Sequence, residues 1–167
     1  FSISSQLGTT DLELQIPTYA STATSNSDDY VCFSIPSGLS QSRRIRAIEV
    51  IPGNLQTVHH VLVSIDLFPN NSIVTTPNCM GPTGDMLYAY APGSVALTYP
   101  TNTSNSFGVE LPANSNMTLA MHYPEGSFGQ VDSTKVRFYF YPQSTVIREI
   151  TTDFLINEGL NSFSQET

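Results

Sequence analysis

Short runs in which apolar and polar residues alternate recur along the chain, and Pro, Gly and Asn punctuate them. No apolar stripe at helical spacing exceeds two turns, so the pattern predicts an all-β protein. Asp11 to Ile16 alternates and stops at Pro17, and the Ser/Thr/Ala/Asn-rich stretch 18–27 reads as a loop. Tyr30 to Ile35 is a strand ended by Pro36-Ser37-Gly38. Arg43 to Ile51 alternates, with Arg44, Arg46, Ile48 and Val50 expected on one side and Ile45, Ala47, Glu49 and Ile51 on the other. A turn at Pro52-Gly53-Asn54 leads to a Val/Leu/Ile-rich strand over 57–68. The Pro/Gly-rich stretch 69–85 reads as a long loop, and a second polar loop spans 99–106. Further strands are predicted over 87–91, 107–111, 116–123, 135–141 and 146–154, followed by a polar tail over 157–167. In the strand 116–123, Met117, Leu119 and Met121 face one way, as core residues, and His122 the other. About nine short strands with long connections predict an antiparallel two-layer β-sandwich of jelly-roll type, a single domain over 1–156.

The histidines change this picture. The chain has three, His59, His60 and His122, and each lies in or beside an apolar strand. Three neutral imidazoles suffice to bind a transition metal. Taken alone, each histidine reads first as a half-buried side chain with one hydrogen bond, and it is the adjacent pair His59-His60 that brings the metal reading level with it. Successive side chains of a regular strand point to opposite faces, so His59 and His60 meet one ion only at a strand end or bulge.

Composition narrows the function classes. Lys plus Arg number 6 against 14 Asp plus Glu, a net charge of −8, which argues against nucleic acid and anionic membranes as partners. No apolar run approaches the roughly 20 residues of a membrane helix. The chain opens on Phe1 without a signal peptide, as a processed or excised form would, and little Lys with much Ser, Thr and Asn suits an exported protein, extracellular or periplasmic. Cys32 and Cys79 are either two buried thiols or one bridge, and the exported composition favours the bridge. Nucleotide-binding, nucleophile-elbow and His-Glu-x-x-His motifs are absent. Asp28-Asp29 and Asp85 lack the spacing of a calcium loop and read as turn caps. Glu110 and Glu125 have nothing in the sequence to bring them together as a glycosidase pair. Asn70, Asn102 and Asn116 each open an N-glycosylation sequon, which has meaning in a eukaryotic host.

Several blocks in order carry a resemblance: Asp29-Tyr30-Val31-Cys32-Phe33, Val58-His59-His60-Val61-Leu62, a later Cys, Pro92-Gly93, and Leu119-Ala120-Met121-His122-Tyr123. Over about 12–141 the chain resembles the N-terminal domain of the copper type II, ascorbate-dependent monooxygenases, which include peptidylglycine α-hydroxylating monooxygenase and dopamine β-hydroxylase. The resemblance implies a β-sandwich holding one copper on His59, His60 and His122, and a Cys32–Cys79 bridge. It implies ascorbate as electron donor and a second, oxygen-activating copper on another domain. That domain's His-x-His motif is absent here, and no histidine is left over. The family's Gln two residues before the third histidine is Ala120. The isolated chain is therefore expected to hydroxylate nothing. Two rival functions stand beside this one: a non-catalytic copper-binding or adhesion module of an exported multidomain protein, and a three-histidine zinc hydrolase.

Overall fold

The computed structural model describes residues 7–66, 73–75, 79 and 84–152. Its centre is the strand Asn116–Tyr123, in which all eight residues are buried. Met117, Leu119 and Met121 point to the main core, and each contributes roughly 1.5–3 kcal/mol by leaving water. Thr118, Ala120 and His122 alternate to the other face and are buried as well.

In chain order the strands are β1 Leu12–Gln15, β2 Tyr19–Ala20, β3 Asp29–Pro36, β4 Arg43–Ile51, β5 His60–Asp66, β6 Ile73–Thr75 and β7 Asp85–Tyr90. They continue as β8 Leu97–Thr98, β9 Ser106–Leu111, β10 Asn116–Tyr123, β11 Val131–Asp132, β12 Lys135–Phe140 and β13 Ile147–Glu149. One sheet has the order β1-β12-β4-β9-β13, with β8 also on β4, and a second runs β6-β3-β10-β5-β7. β2 and β11 pair separately. Buried side chains of both large sheets belong to one cluster: Val31, Phe33, Val61 and Leu119 from one, Ile45, Ile48, Val136 and Phe138 from the other. A shared core of this kind matches a two-layer β-sandwich.

The described residues are all-β, without a helix, as the alternation predicts. Several particulars differ. β13 pairs with β9 in parallel, against the expected antiparallel order. The stretches 18–27 and 69–85, read as loops, carry the short strands β2 and β6, which are too brief for a period of two to show. In β4 the partners of Ala47 and Ile45 are the consecutive residues Tyr139 and Phe140, so Arg46 is the extra residue of a β-bulge. The bulge resets the alternation and turns Ile45 into the core beside Ile48 and Val50, not away from them. The expected tail over 157–167, the end of the last predicted strand, most of the loop 69–85 and the Asn70 sequon lie outside the described residues.

Charge is divided between the sheets. All six Lys and Arg lie on the β4-containing sheet: Arg43, Arg44 and Arg46 on β4, Lys135 and Arg137 on β12, and Arg148 on β13. Glu13 of β1 receives Lys135 Nζ at 2.8 Å and Arg137 Nε at 2.6 Å. The strands of the β10-containing sheet carry Asp29, Asp66, Asp85, His60 and His122 and no Lys or Arg.

Candidate metal centre

Strand register assembles the site. β10 lies between β3 and β5, and His122 is opposite Tyr30 on one side and His60 on the other. Residues directly opposite one another share a face, so Tyr30, His122 and His60 form a row on the outer face of this sheet. His59 directly precedes the first residue of β5 and escapes the alternation. Its backbone N–H donates to the carbonyl of His122 at 3.0 Å, which keeps it beside β10. The turn before it is fixed by Asn54, whose carbonyl accepts from Thr57 and Val58 and whose N–H donates to the buried Asp132 carboxylate at 3.0 Å. Gly53 allows this packing, since a Cβ there would sit 2.6 Å from the Ser133 nitrogen.

The three imidazoles converge through the same atom. Nδ1 of His59 lies 3.2 Å from Nδ1 of His60 and 3.2 Å from Nδ1 of His122, and the remaining pair is 3.1 Å apart. His122 is buried, His60 half-buried and His59 exposed, so the cluster opens to solvent on one side. Hydrogen bonding cannot satisfy this triangle. Each ring nitrogen carries either a proton or a lone pair, so at least one of the three pairs must set donor against donor or acceptor against acceptor. A cation at the centre satisfies all three lone pairs at once. Two nitrogens bound to one ion at about 2.0–2.1 Å stand roughly 2.9–3.4 Å apart for bond angles near 90–110°, and the observed separations fall in that range.

A second layer of contacts orients His122. Its Nε2 lies 3.0 Å from Oδ2 of Asp28. That oxygen is not aligned as a hydrogen-bond acceptor for Nε2. The 3.0 Å separation nevertheless sets the carboxylate against the Nε2 edge of the ring. A proton on Nε2 facing Asp28 leaves the Nδ1 lone pair for the cluster, as carboxylates behind metal-binding histidines commonly arrange. Asp28 is held in turn by the Glu125 N–H, which donates to Oδ1 at 2.9 Å, and by the Tyr30 hydroxyl at 3.4 Å from Oδ2. The Glu125 N–H, and then His122, hold the Asp28 carboxyl below its usual range. The Tyr30 ring stacks on His122 at 4.4 Å, with 7° between the planes. Burial, followed by the neighbouring His122 and His59, pushes the His60 pKa down and favours its neutral form.

Cys32 and Cys79 are joined, with Cα atoms 5.5 Å apart. Cys32 is opposite Ala120, one step along the same face from the Tyr30–His122–His60 row. The bridge packs there with Ala120 and Leu62, a small apolar cluster beside the histidines.

Of the residues singled out in the sequence, His59, His60 and His122 come together. The carboxylates do not form a second site. Glu110 sits on β9 with its N–H toward Glu149, whereas Glu125 follows β10 beside Asp28. Asp85 begins β7, opposite Ile65. Asp29 is buried and accepts from Tyr19 and Thr22, pinning the loop before β3. Asp28, read as a turn cap, instead belongs to the histidine cluster, and so does Tyr30. Only the pairing of β3 with β10 reveals this, because 94 positions of sequence separate Asp28 from His122. No protein-family model matches the chain, and no curated protein matches it.

Proposed function

We propose that this chain is a copper domain of an exported protein, a β-sandwich of jelly-roll type that holds one ion through Nδ1 of His59, His60 and His122. In this reading it accepts an electron from a reductant such as ascorbate and delivers it to an oxygen-activating copper on a second domain. The observation that carries the reading is the triangle of three Nδ1 atoms 3.1–3.2 Å apart, which no arrangement of protons satisfies. A copper ion held there supplies one-electron redox chemistry. The chain's own residues supply the rest. Three neutral imidazoles present their lone pairs, and Asp28 keeps the His122 proton on Nε2. Tyr30 fixes the plane of that ring by stacking. Met117 and Met121 face the core, so no thioether from β10 joins the donor set. The exposed side of His59 is where a small reductant can approach.

The test is a Cu(II) titration followed by electron paramagnetic resonance. One ion should bind, ascorbate should bleach its signal, and His122→Ala should weaken binding strongly, since the two neighbouring histidines alone cannot enclose an ion. The isolated chain should hydroxylate nothing, because three histidines build only one site. A chain that takes zinc and refuses copper defeats the redox reading. Turnover of a substrate by the isolated chain with ascorbate and oxygen defeats the requirement for a second domain.

A further inference from the structure

Two sequons fall within the described residues, and the structure treats them in opposite ways. Asn116 opens β10, is buried, and its Nδ2 donates to the Ser34 hydroxyl at 3.2 Å. An oligosaccharide on that nitrogen would displace the bond and require space inside the fold. Asn102, Thr103 and Ser104 are all exposed. They form the tip of a short hairpin that leaves the β4-containing sheet after Tyr99, whose N–H bonds to the Arg46 carbonyl, and returns through a Thr101–Ser106 bridge. Asn102 Oδ1 accepts from the backbone N–H groups of Ser104 at 2.9 Å and Asn105 at 2.8 Å, while its Nδ2 has no partner among the described residues. The carbonyl end of the amide is thus held by the turn and the nitrogen end is presented to solvent.

We propose that Asn102 is an N-glycosylation site whose donor is a lipid-pyrophosphate-linked oligosaccharide. In the transfer the Asn102 amide nitrogen loses one proton to a base of the transferase and forms a bond to C1 of the first sugar. The bond from C1 to the pyrophosphate oxygen breaks, and the lipid pyrophosphate leaves with that electron pair. The Ser104 hydroxyl supplies the third position that the sequon needs. A bulky polar group is tolerated at an exposed loop tip, where no core contact or strand pairing is disturbed. The hairpin belongs to the sheet without histidines, so the oligosaccharide leaves the metal-binding face open. The inference rests on the chain being exported in a eukaryotic cell and is independent of the metal.

The experiment expresses the chain through a eukaryotic secretory pathway and treats the secreted protein with peptide N-glycosidase in 18O-water. Peptide mass spectrometry should then find residue 102 as 18O-labelled Asp and residue 116 as unmodified Asn. Ser104→Ala should abolish the label at 102, Ser104→Thr should retain it, and Asn102→Gln should remove it. Label is read position by position, so use of Asn70 does not obscure the result. An unmodified Asn102 peptide, or label at Asn116 in the folded secreted protein, overturns the proposal.

Discussion

Replacing Asp28 by Ala should weaken metal binding while leaving all three imidazoles in place. The carboxylate lies 3.0 Å from His122 Nε2, and carboxylates that orient metal-binding histidines typically contribute 10- to 100-fold in affinity. Two features put Asp28 at the lower end. Its side chain keeps 34% of its exposure, so water can replace part of the contact, and its second oxygen is committed to the Glu125 N–H. A loss of about tenfold is therefore expected from Asp28→Ala. Asp28→Asn retains an acceptor for one of the two donors but removes the charge, and a smaller loss than that of Asp28→Ala is expected. Since Asp28 ionises below the usual carboxylate range, both ratios should hold steady from neutral pH down to about pH 5. The assay is a competition titration against a chelator of known affinity, with thermal unfolding of the metal-free variants to confirm the fold. Equal affinity for Asp28→Ala and the parent chain would show that the carboxylate does not orient His122.

Four further outcomes follow from the same geometry. Burial and the neighbouring imidazoles lower the His60 pKa, so protons should compete with the metal at His60 only below the ordinary histidine value of about 6.5, and chelator titrations at pH 7 and pH 6 should agree more closely than those at pH 6 and pH 5. The metal-free chain should lose stability over the same interval, because below about pH 6.5 the unfolded chain binds a proton that folded His60 resists; urea midpoints that rise as pH falls from 6.5 to 5.5 would contradict this. Removing the Cys32–Cys79 bridge with a double Cys→Ala variant, across a separation of 47 residues, should cost up to about 4 kcal/mol in chain entropy, and a loss below about 1 kcal/mol in urea denaturation would refute that account. Gly53→Ala forces a methyl group against Ser133 and Asp132 and should cost about 1–3 kcal/mol, together with a measurable loss of metal affinity because the turn carries His59; unchanged thermal unfolding would show that the turn yields freely.

How far the sequence discloses this arrangement depends on the range of the interactions involved. β10 is readable to the residue because its alternation is unbroken and Pro112 and Pro124 bound it. β4 has equally regular alternation, yet its faces exchange at Arg46, since a bulge is specified by the partner strand and leaves no mark on the strand that contains it. The histidines announce themselves by their rarity and their apolar setting. That His59 lies just outside β5, and so can join His60, depends on hydrogen bonds to Asn54 and His122. Asp28 was invisible for a related reason. A carboxylate beside a strand end has many local uses, and its proximity to His122 exists only through the register of β3 on β10.

The placement of every Lys and Arg on one sheet gives the molecule a lasting electrical orientation. A divalent cation drifting toward the histidine side meets carboxylates such as Asp28 and Glu125 and no fixed positive side chain, so its capture should slow as added salt screens the attraction. An anionic surface, by contrast, is met by the opposite sheet, with the imidazoles turned toward solution. A cationic surface would be approached histidines first.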